Sequence, residues 1–145
     1  MDPSSYLGGL VTGEGCFCFA VGQTKAQNTR ITPIFALFMS DRETVMYAAD
    51  LLRGLGLPVH MNERPKAGRG QVGIHINGFK RVGRYCEALM PYLTGQKKQA
   101  AQLVLAFIKS REEQPLRAPY TPHELGLVRQ LRIVNGNTRG RKNPL

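Results

Sequence analysis

Apolar and polar residues alternate with period two in some stretches of this chain and recur at helical spacing in others. Between Cys16 and Gln23, Phe17, Phe19 and Val21 alternate with Cys18, Ala20 and Gly22, as in a strand with one buried face. A polar hairpin loop, Thr24 to Thr29, leads into a second predicted strand from about Arg30 to Met39. Leu57 to Arg64 and Gly70 to Asn77 read as a third and a fourth strand, joined by the turn Pro65-Lys-Ala-Gly-Arg-Gly70. Helical spacing appears at Val45, Met46, Ala49, Leu52 and Leu55, behind the capping box Ser40-Asp-Arg-Glu43 and ahead of Gly54-Leu-Gly56. Further helices are predicted over Phe79 to Leu93, from the cap Thr94 to about Ser110, and from Thr121-Pro-His-Glu124 onward.

The first element breaks the usual rules. Asp2-Pro3 is a good helix start, with Asp as N-cap and Pro at the first helical position. A helix from there runs to about Gly13 or Glu14 through Leu-Gly-Gly-Leu-Val-Thr-Gly-Glu-Gly, residues 7 to 15. Each internal glycine costs a helix about 0.5–1 kcal/mol relative to Ala. Gly9 and Gly13 are four apart, hence on one face about 6 Å apart along the axis, with Gly8 beside them. Two backbones can approach closely over such a stripe. Glu14 falls at the negative pole of the helix dipole, which opposes a carboxylate by about 0.3–1 kcal/mol. A bound cation would compensate.

The order of elements is therefore α-β-β-α-β-β-α followed by more helices. The 145 residues suit one domain, taken here as residues 1–135, with a basic tail over 136–145. Twenty Lys and Arg against ten Asp and Glu give a net charge of +10, which favours a polyanionic partner, nucleic acid first. No 18-residue apolar run predicts a membrane span and no secretory segment opens the chain. Cys16, Cys18 and Cys86 are too few for a disulfide framework or a zinc site, so a reducing, intracellular setting is expected.

Residues 7 to 15 resemble the LAGLIDADG motif of homing endonucleases. Leu7, Gly9, Leu10, Glu14 and Gly15 match the usual pattern, and Gly13 matches a common variant. Gly8 stands where Ala is usual, and Thr12 replaces an acidic residue that is not the metal ligand in the family. Pro33-Ile-Phe-Ala-Leu resembles the family's second strand. Residues 91 to 105, containing Gln96-Lys-Lys-Gln99, resemble the segment in which single-motif members place a basic catalytic-site residue ahead of a long helix.

The resemblance implies an α+β, αββαββα fold with a curved antiparallel sheet that forms a DNA-binding saddle. Only one copy of the motif is present, so it implies a symmetric homodimer, with Leu7, Gly8, Gly9 and Gly13 in the seam. Each Glu14, with the carbonyl of Gly15, would then ligate Mg²⁺ (or Mn²⁺ or Ca²⁺ in its place) between scissile phosphates. The basic catalytic-site residue falls at Lys97 or Lys98, while a strict register puts Gln96 there. Arg42 can stand in for a nearby basic residue. A water-ordering polar residue of the family falls near Met39 or Ser40; a thioether cannot do that job, and the capping box claims Ser40.

The polar set of the fourth strand (Gln71, Gly73, His75, Asn77) is expected to face double-stranded DNA, opposite Val72, Ile74 and Ile76. Strand three adds His60, Asn62 and Arg64, and its turn adds Lys66 and Arg69. Gln23, Lys25, Asn28, Arg30 and Thr32 surround the first hairpin. Asn, Gln and Arg are the side chains that read adenine and guanine edges. His60 and His75 suit hydrogen bonding better than metal ligation. The outward set of strand one is small and nonpolar, and neither face of strand two is polar. Basic residues of the helices (Lys80, Arg81, Arg84, Lys109, Arg111, Arg129, Arg132) and of the tail (Arg139, Arg141, Lys142) are expected on phosphates. The leading expectation is a site-specific, Mg²⁺-dependent DNA endonuclease. The alternative is a non-cutting nucleic-acid binder on the same scaffold, an intron maturase taking RNA or a DNA-binding regulator. A third class is a basic structural protein without sequence preference.

Overall fold

A computed structural model describes residues 2–64 and 70–136. Its elements are α1 (Pro3–Glu14), β1 (Gly15–Gln23), β2 (Thr29–Met39), α2 (Arg42–Gly54), β3 (Met61–Arg64), β4 (Gln71–Asn77), α3 (Phe79–Leu89), a 3₁₀ turn (Met90–Tyr92), α4 (Gly95–Glu112) and α5 (Pro122–Val134). This is the α+β, αββαββα order expected from the sequence, with two helices appended. The sheet is antiparallel throughout, in the order β1-β2-β4-β3. The expected turn over 65–70, except Gly70, and the tail over 137–145 lie outside the described residues, as do Lys66, Arg69, Arg139, Arg141 and Lys142.

Local chemistry explains the boundaries that differ from expectation. The helix expected over Phe79 to Leu93 stops at Leu89 and continues as the 3₁₀ turn, because Pro91 has no N–H to give an α-helix. Strand three is only four residues long. Pro58 cannot donate to a ladder, and its carbonyl accepts from the Tyr85 hydroxyl at 2.5 Å. Asp41, not Ser40, is the N-cap of α2: its carboxylate accepts from the Thr44 N–H at 3.3 Å and the Thr44 hydroxyl at 2.8 Å. That leaves Ser40 outside the cap.

One face of the sheet is covered and the other is open. Phe17, Ile31, Phe35, Leu37, Ile74 and Ile76 point under the helices and are buried. All but Ile31 pack with Leu7 and Val11 of α1, Val45, Ala48, Ala49 and Leu52 of α2, Val82, Tyr85 and Leu89 of α3, and Ala100, Ala101, Val104 and Ile108 of α4. A smaller cluster of Ile31, Phe107, Leu127 and Val128 seats α5. Edge strand β1 is tied to the end of α5, where the Asn135 amide donates to the Phe17 carbonyl at 2.9 Å.

The polar anchor of this C-terminal packing is Glu124, fully buried at the third position of α5. Its carboxylate accepts from the Thr121 N–H at 2.9 Å, the Ser110 hydroxyl at 2.7 Å and Arg111 at 3.0 Å. The Arg111 guanidinium lies over the Tyr120 ring at 4.6 Å, and the Tyr120 hydroxyl accepts from the Ile31 N–H at 2.8 Å. Burial alone would raise the carboxyl's pKa. The bonds from Thr121, Ser110 and Arg111 outweigh it and hold the value below the usual glutamate range. The charged form therefore stabilises the fold above the unfolded-state pKa, and that contribution is lost as pH falls through the lowered folded value. Glu124→Ala leaves Arg111 unpaired and should cost about 3–5 kcal/mol in urea unfolding at pH 7. The difference from wild type should shrink on acidification; a constant difference down to pH 3 would show that the charge is not what matters.

Candidate nucleic-acid and metal site

The end of α1 is where the helix runs directly into the sheet. Asp2 starts the helix by accepting from the Ser5 N–H at 3.3 Å, and β1 begins at the residue after Glu14. Glu14 is exposed, and among the described residues no donor engages its carboxylate. The carbonyl of Gly15, expected as a metal ligand, instead accepts from the Lys97 ammonium at the start of α4. A cation on that oxygen would meet the ammonium's charge, so the fit to a divalent ion rests on the Glu14 carboxylate alone. Of the three candidates left open by the sequence, Lys97 is half-buried at the motif, whereas Gln96 and Lys98 are exposed. The Cys16 thiol on β1 also feels this charge. A hydrogen bond with Cys18 first, and then Lys97, bring its pKa down to about 6 against the opposing effect of burial.

The four glycine-motif residues expected in one seam divide between two surfaces. Leu7 is buried in the core. Gly8 packs against the 3₁₀ turn, where a Cβ would lie within 3.0 Å of the Tyr92 Cβ and carbonyl. Neither is open to a second chain: Leu7 lies in the core and the 3₁₀ turn covers Gly8. Gly9 and Gly13 are exposed, and a methyl group added at either would meet no other described element within 4 Å.

The open face of the sheet is set by its register. Gly22 pairs with Arg30, Ala20 with Thr32, Cys18 with Ile34 and Cys16 with Ala36. Across the next interface, Ile34 pairs with Asn77, Ala36 with His75 and Phe38 with Gly73. Asn62 then pairs with Gly73 and Arg64 with Gln71. Polar side chains therefore border an apolar middle of Cys16, Cys18, Ala20, Ile34, Ala36 and Phe38. Gln23, Arg30, Asn62, Arg64 and Gln71 are exposed, Thr32 and His75 half-buried, and Lys25 and Asn28 sit in the exposed hairpin turn closed by Thr24.

Three further placements differ from expectation. Gly73 is not on the open surface: it is buried, and the Phe38 ring lies where its side chain would be. His60 shares a 2.8 Å hydrogen bond with Arg81 of α3, which draws it to the sheet margin. Arg42 forms an exposed surface ion pair with Glu63 rather than joining Glu14, so its charge is already partnered. Arg42 and Glu63 line a shallow pocket of about 140 Å³ with Ser40, Gly70, Gln71 and Val72. Met39 packs against the core. On the helices, Arg84 donates to the Gly56 carbonyl and Arg111 to Glu124, so Arg111 serves the fold. A strand glycine was the sequence signal for the close approach at Gly73; nothing in the sequence marked the contact of Lys97 with Gly15.

Among the described residues there is no group of three His, Cys, Asp or Glu side chains able to hold a metal, and no helix long and apolar enough to cross a membrane. No protein-family model and no curated protein sequence matches the chain. Solved structures do. The homing endonuclease I-CvuI, in complex with its target in the presence of 2 mM Ca, superposes with a TM-score of 0.70 at 21% identity, over 98% of this chain and 85% of that one. An archaeal intron-encoded homing endonuclease complexed with DNA gives a TM-score of 0.55 at 14% identity, over 90% and 96%. The LAGLIDADG homing endonuclease I-GzeII, in complex with its DNA target, gives 0.60 at 14% identity, over 92% of this chain. The chain spans only 43% of I-GzeII's length. With the helix, strand and motif order described above, these likenesses give the chain the fold of the LAGLIDADG homing endonucleases.

Proposed function

We propose that this chain is a site-specific DNA endonuclease that acts as a homodimer on a long pseudo-palindromic duplex. The observation that carries the reading is the Lys97 ammonium bound to the carbonyl of Gly15, the residue after Glu14, at the end of a helix whose exposed face carries Gly9 and Gly13. Two copies packed through those glycines would bring two Glu14 carboxylates to the floor between two open sheet faces. The basic charge, the exposed Arg30, Asn62, Arg64 and Gln71, and the DNA complexes of the structural relatives support a duplex as the partner.

A single carboxylate is too small a ligand set for a hard divalent cation, which takes about six oxygens. The paired Glu14 side chains, waters and phosphate oxygens would complete it. A divalent ion held there would neutralise charge developing on the phosphate and make a bound water more acidic. The chain's own contribution is to fix the carboxylate at the helix end and to hold the Lys97 ammonium on Gly15, where its charge can stabilise the developing phosphorane. The apolar middle of the sheet can contact thymine methyl groups and otherwise leaves the base pairs to be read through shape. Ser40, outside the α2 cap, is free to order water where Met39 cannot.

Incubating the protein with a random-sequence plasmid library and Mg²⁺, then sequencing the cut ends, tests the reading. Cut ends should share one long, roughly symmetric site and should vanish with EDTA. Enriched binding of a site that stays intact would establish the non-cutting alternative, and no enriched sequence at all would reject both.

A further inference from the structure

We propose that Phe38 is a positioning residue for Arg64 and that the pair sets a guanine preference in the bound duplex. The inference rests on the reading of this open face as the DNA-facing surface, and it names one specificity element of that face.

Phe38 points outward from β2, and its partner on β4 is Gly73. A Cβ at residue 73 would lie within 3.0 Å of the ring's Cγ and Cδ1 and of the Leu37 carbonyl. The missing side chain thus lets the ring lie down across β4 instead of standing away from the sheet. Laid flat, it reaches β3, where the Arg64 Cζ sits 3.6 Å from the ring centroid. Gln71 is the direct partner of Arg64 on β4, the strand that the ring crosses.

This arrangement does three things to the guanidinium. The ring supports one of its faces through a cation–π contact. The adjacent acid is already spent, because Glu63 points to the opposite side of the strand and pairs with Arg42. Among the described residues no carboxylate bonds Arg64. A planar fork of N–H donors is therefore held against the ring on the open face, and no other described residue accepts from its donor edge. Such a fork matches the O6 and N7 acceptors of guanine, which a lysine cannot engage in the same bidentate way. Holding it beforehand reduces the ordering cost of the contact on binding.

Site selection from a random duplex library by four proteins tests this: wild type, Arg64→Lys, Phe38→Leu and Phe38→Tyr. Wild type should select guanine at one position in each half-site. Arg64→Lys keeps the charge and should lose that preference by about tenfold or more. Phe38→Leu should lose it at the same position, although residue 38 itself touches no guanine. Phe38→Tyr keeps the ring and should restore it. In wild type, 7-deazaguanine at that position should weaken binding, and in Phe38→Leu it should have little further effect. Even weakening of all sequences by Arg64→Lys or Phe38→Leu would mean that Arg64 holds phosphate, and would overturn the proposal while leaving the endonuclease reading intact. Selection of no sequence by wild type would overturn both.

Discussion

Glu14→Gln should lower strand cleavage by about 10³-fold while leaving the duplex bound. Glutamine has the shape of glutamate without the charge that a divalent ion needs. Two other quantities should move the opposite way. The substitution removes a negative charge facing the phosphates, so affinity for the site in EDTA should hold or rise. It also removes a carboxylate from the negative end of α1, an end that opposes it by about 0.3–1 kcal/mol, so thermal stability should hold or rise. Loss of cleavage with a stable, DNA-binding protein separates a ligand role from a folding role. Wild-type cleavage by the variant, measured at saturating protein, would remove Glu14 from the chemistry.

Gly13→Leu should leave each chain folded and separate the pair. Among the described residues, no other element lies within 4 Å of a Cβ added at Gly9 or Gly13. Leucine is a better helix former than glycine by about 0.5–1 kcal/mol, so the single chain should gain stability. In a seam built on close backbone approach, however, two isobutyl groups force the helices apart. Light scattering should then give the mass of one chain. Affinity for a two-half-site duplex should fall by about 10²–10⁴, since the second half-site is no longer delivered by the first. Gly8→Ala is the contrast, on a covered face of the same helix. Its added methyl group meets Tyr92 within the same chain, so it should lower thermal stability without being a selective dimer mutation. A Gly13→Leu protein that remained dimeric would place the seam elsewhere.

The glycines of α1 show why part of the site could be read from the sequence and part could not. The start of α1 and its glycine spacing are local properties, carried by Asp2, Pro3, Gly9 and Gly13, and they appear as expected. Which glycine meets its own chain is not local. It depends on the 3₁₀ turn far downstream, which the periodicity of the sequence runs into the preceding helix and whose destination is set by packing. Lys97 illustrates the same limit. One step along a helix rotates a side chain by about 100°, so sequence similarity left Gln96, Lys97 and Lys98 open until the docking of α4 fixed the rotation. On β4 the alternation of Val72, Ile74 and Ile76 placed the buried face correctly, yet period two could not show that Phe38 fills the space at Gly73. Arg42 and Arg111 were legible as charges, but their partners, Glu63 and Glu124, lie on other elements. The Thr121–Glu124 capping box was legible as a helix start; its second use, as a buried anchor for Arg111 and Ser110, arises only from packing.

The most direct measurement is anomalous scattering from a crystal of the protein with its selected duplex and Mn²⁺. The expected map has two chains on each duplex and manganese between their Glu14 side chains, in contact with both. One chain per duplex, or manganese bound away from Glu14, would contradict the account.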